Sequence, residues 1–301
     1  MRNRLPIKEL LKNYMECVAS RKIVFFIYTW PALICLLIAS RLIVSVTQVL
    51  LLFSAVSLTG FAVYFYNDIT DLEDDLKTAE MGNQMKSMKP LGQGRISKGL
   101  FMKFTVFSAA LGLILASLLN IGVLVSLSLY LVLGIFYSTE PFRFKKRFVV
   151  KQLIIAFGCV LTLLAGAFAG GEISQVVIFT ILMDFAIVVG VNPIVDIPDM
   201  AGDKDTGVKT VPAVIGPSMT VRFAIAVLVA IAGGSVIGYL GLGLSIAMPF
   251  LITLIAGAWI YTIIPLIKRY DDIAYTNAVL FKRVVPLYLM IQIIPLASIM
   301  L

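Results

Sequence analysis

The sequence contains no histidine and only three cysteines, Cys17, Cys35 and Cys159, scattered without metal-ligand spacing. These absences exclude imidazole general bases, haem ligation by histidine, a disulfide framework and most zinc chemistry, and they leave carboxylates to handle any metal. Charge is scarce as well: 14% of residues are charged and 60% are hydrophobic. The N-terminal stretch through Ala19 lacks the short apolar core and small-residue cleavage site of a signal peptide. It reads instead as an amphipathic segment lying along the membrane surface.

What is abundant is long apolar runs. Nine segments, near 23–40, 46–66, 100–118, 122–139, 148–169, 174–195, 221–240, 244–267 and 284–301, approach the roughly 20 residues that a helix needs to cross a bilayer. Hydrocarbon offers no water to backbone groups, so such segments must be helices. The expected fold is an all-α polytopic membrane bundle forming one domain over 1–301. Its first 22 residues form a cytoplasmic amphipathic segment, and 67–99 and 196–220 are polar loops that cover a cytoplasm-facing cavity.

Charge placement supports this count. Of the 25 Lys and Arg, Arg2, Arg4, Lys8, Lys12, Arg21 and Lys22 precede the first span. Nearly all the others, including Lys77, Lys86, Lys89, Arg95, Lys98, Arg143–Arg147, Lys204, Lys209, Lys268 and Arg283, follow even-numbered spans; Arg41 alone lies in an opposite-side loop. The positive-inside rule then puts the N-terminus and these loops in the cytoplasm and the C-terminus outside. The net charge of +8 is dispersed over several loops, so it signals topology and not nucleic-acid binding.

One internal repeat stands out: Asp68, Asp71 and Asp75 recur as Asp196, Asp199 and Asp203 at a constant offset of 128 residues. The offset equals four spans, which divides the chain into two four-helix repeats of the same orientation plus a ninth helix. If the helix continues through the first motif, Asp68, Asp71 and Asp75 share a face with Asn67 at its edge. Like charges this close repel unless a cation sits among them. In the second motif, Pro193 and Pro198 are expected to kink or interrupt the helix. An acidic, solvated loop would explain one such motif. Two at equivalent repeat positions on the same face point to a hard divalent cation such as Mg²⁺, which bridges carboxylates to a substrate phosphate.

The loop Tyr137-Ser138-Thr139-Glu140-Pro141-Phe142-Arg143-Phe144-Lys145-Lys146-Arg147 supplies the opposite charge. It serves equally well as a positive-inside anchor or as a cradle in which Arg143, Lys145, Lys146 and the Tyr137 and Ser138 hydroxyls hold a diphosphate. Tyr64, Phe65, Tyr66 and Phe136 either line an apolar chamber or anchor at the interface. Asp184 falls near the middle of the sixth span, where a carboxylate is costly. It either faces a polar cavity or serves as a hydrogen-bonded acid in helix packing. A cation-coupled transporter would also carry repeats and intramembrane acids, but its site is expected near the midplane.

Together the residues resemble the UbiA-type membrane prenyltransferases. The likeness rests on nine helices, the Asn67-Asp68-x-x-Asp71-x-x-x-Asp75 motif, the loop carrying Tyr137, Ser138, Pro141 and Lys145, and Asp196-x-x-Asp199-x-x-Gly202-Asp203-Lys204 followed by Gly207 and Thr210. It implies transfer of a polyprenyl group from its diphosphate to a lipophilic acceptor inside the membrane. Asp71, Asp75, Asp199 and Asp203, with Asn67 and Asp68, are then expected to hold Mg²⁺, as two ions bridging to the diphosphate. Asn67, Asp68, Asp196, Tyr137, Ser138, Arg143, Lys145, Lys204 and Arg21 are expected to contact or orient the diphosphate donor. Where many members have Arg-Pro-Leu, this chain has Lys89-Pro90-Leu91, so that basic role passes to Lys89 or Arg95. The second motif is similar to that of a branch containing archaeal digeranylgeranylglyceryl phosphate synthases and some quinone and tocopherol prenyltransferases. That branch suggests a geranylgeranyl donor, with either a geranylgeranylglyceryl phosphate lipid or an aromatic quinone precursor as acceptor.

Overall fold

The computed structural model describes residues 6–81, 83 and 88–301, and among these there are helices and no strand. The expectations that rest on Arg2, Arg4, Lys86 and the middle of the 67–99 loop fall outside the described residues. In chain order the helices are α1 (Ile7–Ser20), α2 (Trp30–Ala39), α3 (Val46–Thr70), α4 (Leu72–Glu80), α5 (Lys98–Leu119), α6 (Ile121–Ser138), α7 (Val150–Gly170), α8 (Gln175–Gly190), α9 (Met200–Asp205), α10 (Val211–Ile215), α11 (Pro217–Leu242), α12 (Ala247–Ile263), α13 (Leu266–Arg269), α14 (Ile273–Val279) and α15 (Val285–Met300). Two short π-helical turns, Phe25–Thr29 and Leu280–Val284, lead into α2 and α15.

Among the described residues eight helical stretches are long and apolar enough to cross a membrane, and a ninth span comes from the pair Ile7–Ser20 and Phe25–Ala39, bent by 64°. This is a multi-pass membrane protein, and the span boundaries fall close to those the apolar runs predict. The last span departs from expectation. It begins at Ile273, not at 284, because the helix runs on through Lys282 and Arg283 by way of the second π turn. Local chemistry fixes several starts. The Ser45 hydroxyl accepts from the Gln48 N–H and the Gln48 side chain reaches back to Ser45, a capping box that opens α3. The side chains of Ser97, Asn120 and Ser174 each accept one backbone N–H at the starts of α5, α6 and α8, without the reciprocal bond.

Packing is organised in two apolar cores with α8 between them. Val177, Ile181 and Val188 join the core built from α2, α3, α5, α6 and α7. Met183, Ile187 and Val191 join the second, built from α11, α12 and α15. Small residues let the backbones approach, the usual device where water provides no drive between helices. A Cβ at Gly166 of α7 would lie 2.0 Å from the Ala32 carbonyl oxygen of α2, and one at Gly170 would lie 2.6 Å from the Ala39 Cβ. α1 turns Tyr14 inward against Phe65, Phe104 and Phe107 and leaves Ile7, Leu11 and Met15, spaced one helical turn apart, exposed on its outer face.

Short helices follow both acidic motifs: α4 covers the end of the first motif and the five residues after it, and α9 and α10 occupy most of the stretch after the second. Their amphipathic turns bury one face: Gly202 of α9 fits so closely on α4 that an added Cβ would meet the Thr78 hydroxyl at 2.3 Å and its Cα at 2.9 Å.

Candidate active site

Both acidic motifs interrupt a helix at their central aspartate. α3 does not run through the first motif as the continuous-helix expectation requires; it ends at Thr70, and Asp71, at φ −103°, ψ 3°, opens α4. In the second motif Pro193 and Pro198 remove N–H donors and crowd the preceding turn. The backbone there tightens into a 3₁₀ stretch, Asn192–Asp199, before Asp199, at φ −94°, ψ −7°, opens α9.

The break divides the first motif's acids between two environments. Asp68 is buried beneath the site, where it accepts from Arg21 Nε at 2.7 Å and Lys89 Nζ at 2.8 Å. Asp71 and Asp75 face a cavity of about 990 Å³ together with Asp196, Asp199 and Asp203. Lys145, itself buried, pairs with Asp71 and lies 3.6 Å from Asp74; Lys89 also reaches Asp75. Across the cavity Lys151 pairs with Asp196 at 2.7 Å, with Gln152 Nε2 donating to the same carboxylate at 3.3 Å. Asn83 donates to Asp199 at 2.6 Å. Lysine and arginine therefore supply the counter-charge that so many adjacent carboxylates require.

The loop after α6 holds Lys145 in place at a backbone cost. Arg143 adopts φ 31°, and the β-branched Val149 adopts φ 65°, conformations that L-residues seldom take and that cost of order 1–3 kcal/mol each. Arg143 is tied down by Asp74 at 2.8 Å and Glu140 at 3.3 Å. Lys146 Nζ donates to the Thr206 carbonyl at 3.4 Å, and the Lys209 N–H donates to the Lys146 carbonyl at 3.3 Å, so the loop is tied to the segment after the second motif.

Of the residues singled out from sequence, Arg21, Asn67, Asp71, Asp75, Lys89, Tyr137, Lys145, Asp196, Asp199 and Asp203 line this cavity. Ser138 lies behind it and donates to Asn67 Oδ1 at 3.1 Å. Asp68, Arg143, Arg95 and Lys204 stand outside the lining; Arg95 is half-exposed and pairs with Glu16 at 3.0 Å, and Lys204 on α9 is exposed. Of the four aromatics, Tyr64 lines it, Phe65 is buried in the first core against Phe61 and Phe101, the Tyr66 hydroxyl meets that of Thr139 at 2.7 Å, and Phe136 is exposed. Lys151, Asp74 and Asn83 are cavity residues that the sequence reading passes over. Lys151 had a usable signal, since a lysine one residue inside an apolar span must reach water or an acid.

Deeper in, the polar lining gives way to an apolar chamber. Tyr28, Tyr64 and Tyr130 cluster there, with ring centroids 6.0 Å apart for Tyr28 and Tyr64 and 5.3 Å for Tyr28 and Tyr130. The Arg21 guanidinium lies 5.2 Å from the centre of the Tyr64 ring.

The donor set suits Mg²⁺. Its oxygens are carboxylates and amides, which are hard ligands. Asp203 lines the cavity, and its Oδ2 is buried with no hydrogen-bond partner, an oxygen that a bound cation would satisfy. Among the described residues no three carboxylates converge into an all-protein cage. Mg²⁺ commonly takes only one or two carboxylates and completes its shell with water and substrate phosphate.

Comparison with known proteins gives this geometry a context. The family model described as UbiA prenyltransferase family matches residues 28–284. A digeranylgeranylglyceryl phosphate synthase of Ignicoccus hospitalis is 32% identical over 181 residues, a match that spans 58% of this chain and only 55% of that relative. A solved structure concerned with digeranylgeranylglyceryl phosphate synthase in membranes superposes with a TM-score of 0.70 at 23% identity, covering 97% of this chain and 100% of that one. A UbiA homolog from Archaeoglobus fulgidus, bound to GPP and Mg²⁺, superposes with a TM-score of 0.69 at 19% identity over 89% and 99% of the two chains.

Proposed function

Since the chain belongs to the UbiA prenyltransferase family, we propose that it transfers a polyprenyl group, of geranylgeranyl length, from its diphosphate to a lipophilic acceptor within the membrane. The observation that carries this reading is the meeting of two acidic helix breaks across one cavity, with lysines between them and an apolar chamber beneath. The likeness to a digeranylgeranylglyceryl phosphate synthase supports a glyceryl phosphate lipid as acceptor, ahead of an aromatic quinone precursor. The basic loops support a cytoplasmic face for the site, and α4 and α9 would roof it.

In this reading Asp71 and Asp75 on one side and Asp199 and Asp203 on the other hold Mg²⁺. When bound, the ion supplies Lewis-acid neutralisation of the diphosphate. Lys145, Lys89 and Lys151 exchange part of their pairing with aspartate for pairing with phosphate oxygens, so positive charge already stands where negative charge grows as the C1–O bond breaks. Asn67, positioned by Ser138, and Tyr137 orient the diphosphate. The departing group carries away the bonding electron pair and leaves an allylic cation, which the ring faces of Tyr28, Tyr64 and Tyr130 stabilise. The apolar walls keep water from quenching it. The acceptor then bonds to C1 and loses its proton to the released diphosphate.

The test is transfer of radiolabelled geranylgeranyl diphosphate by purified protein with Mg²⁺ to geranylgeranylglyceryl phosphate, 4-hydroxybenzoate or dihydroxynaphthoate. Labelled product with the glyceryl phosphate lipid is expected. Product with an aromatic acid alone would transfer the assignment to quinone chemistry, and no product with any acceptor would overturn the proposal.

A further inference from the structure

The cavity is open on one side. Phe26 of the first π turn, Phe281 of the second and Pro286 at the start of α15 line it and are exposed, so it opens between the first and last spans toward the surrounding lipid. Two hydrogen bonds set the relative height of these spans. The Tyr288 hydroxyl donates to the Ile27 carbonyl at 3.5 Å and Trp30 Nε1 donates to the Leu289 carbonyl at 3.4 Å, between partners 261 and 259 residues apart. Lys22 and Lys282, 260 residues apart, therefore stand level with one another. Each lies about one turn from an exposed lining residue, Lys22 from Phe26 and Lys282 from Pro286, on the side toward the acidic motifs. The two lysines form the upper rim of the opening.

That rim is at the level of the lipid headgroups. A helix crosses hydrocarbon with roughly 20 residues; the last span ends at Met300, so about that length remains beyond Lys282, and the first apolar run begins directly after Lys22. Below the lysines the opening is apolar, and the first and last spans continue into an apolar groove of about 250 Å³ lined by Trp30, Leu33, Leu37, Ile293 and Leu296 among others.

Charge sets these two lysines apart. Six basic residues line the cavity. Arg21, Lys89, Lys145 and Lys151 pair with aspartates, whereas among the described residues neither the Lys22 nor the Lys282 ammonium group has an acidic or hydrogen-bonding partner. Anchoring at the interface would not require either to line the cavity. Both are available to an anion, and the apolar surface beneath them suits one that carries a hydrocarbon chain.

We propose that Lys22 and Lys282 form the acceptor's phosphate site. The phosphomonoester of a glyceryl phosphate lipid, arriving from the bilayer through the side opening, is held by the two ammonium groups, its hydrocarbon chain lies against the apolar surface below, and its glycerol hydroxyl reaches inward to the allylic carbon. The hydroxyl oxygen bonds to C1 after the diphosphate has left with the bonding pair, and its proton passes to that diphosphate; the acceptor's phosphate is unchanged. Lys22 directly follows Arg21, which holds Asp68 beneath the donor site, so donor and acceptor phosphates are neighbours served by separate cations. The inference rests on the prenyl-transfer reading with a glyceryl phosphate acceptor.

Equilibrium binding of radiolabelled geranylgeranylglyceryl phosphate to purified protein, without donor, tests the site apart from turnover. Lys22→Gln and Lys282→Gln should each weaken binding by about tenfold, the worth of a hydrogen bond to a charged group, and Lys22→Arg and Lys282→Arg should stay within about threefold of wild type. Geranylgeranylglycerol, which lacks the phosphate, should bind to wild type and variants alike. In transfer assays the Gln variants should raise KM for the acceptor and leave both kcat and the KM for geranylgeranyl diphosphate unchanged. Phosphate lipid that fails to bind to wild type, binding indifferent to either Gln substitution in protein of wild-type melting temperature, or a rise in donor KM in place of acceptor KM would overturn the site. Phosphate-dependent binding that is weakened in both Gln variants, without transfer from any donor, would retain the site and discard the prenyltransferase reading.

Discussion

Asp71 and Asp199 stand 128 residues apart in sequence and occupy matching backbone positions: Asp71 opens α4 after α3 ends, Asp199 opens α9 after the 3₁₀ stretch, and their backbone angles agree to about 10°. The helices they open pack directly on one another at Thr78 and Gly202. A repeated sequence motif has become a repeated backbone break, and the two copies face one cavity.

The first prediction concerns that contact. The Thr78 Cα lies 2.9 Å from where a Gly202 Cβ would sit, so Gly202→Ala must push α9 away from α4. Prenyl transfer should fall by about 10²-fold, the usual cost of displacing catalytic groups by an ångström, while the melting temperature in detergent changes little. Kinetics paired with a thermal melt checks both parts.

Gly166 should behave in the opposite way. A methyl at this position collides with the Ala32 backbone, where no flexible side chain can yield. Gly166→Ala is expected to destabilise α2 against α7 by about 1–3 kcal/mol through overpacking, read as a lower melting temperature and accelerated proteolysis.

Removing single cations separates residues that line the cavity from those that do not. Lys151→Met leaves Asp196 without its ion pair and removes a charge facing the diphosphate, so kcat/KM should drop by about 10²-fold. Arg95→Ala and Lys204→Ala, whose side chains lie outside the cavity, should stay within about threefold of wild type. A steady-state assay of the three variants at saturating Mg²⁺ distinguishes them.

Metal removal follows from the donor chemistry. EDTA should abolish transfer, and Mg²⁺ or Mn²⁺ should restore it. Zn²⁺ should restore it poorly, because the site offers neither imidazole nor thiolate. Turnover that persists in excess EDTA would contradict the assignment of the aspartates.

Much of this was legible in the sequence because the bilayer constrains it. Apolar length gave most of the spans to within a few residues, the start of the last excepted, and the 128-residue offset put both acidic clusters on one cavity. The breaks were half legible. Pro193 and Pro198 announced the second, whereas nothing in Asn67–Asp75 signals that the helix ends at Thr70, since that depends on Arg21 and Lys89 drawing Asp68 beneath the site while Lys145 draws Asp71. That Arg95 and Lys204 stand outside the cavity was not legible either, because motif proximity does not specify which way a charge in a loop or on a short helix emerges. The partners of Asp184, Tyr288 and Gln292, lie about a hundred residues away, a pairing that local pattern cannot reveal.

The central claim is that the two acidic breaks act as one site, and a double-mutant cycle on Asp71→Asn and Asp199→Asn tests it most directly. With radiolabelled geranylgeranyl diphosphate and Mg²⁺, each single variant should lose about 10²-fold or more in kcat/KM, and the double variant should be scarcely worse than either, since groups acting as a unit are strongly non-additive. Full activity in either single variant, or losses that simply multiply, would contradict a shared site.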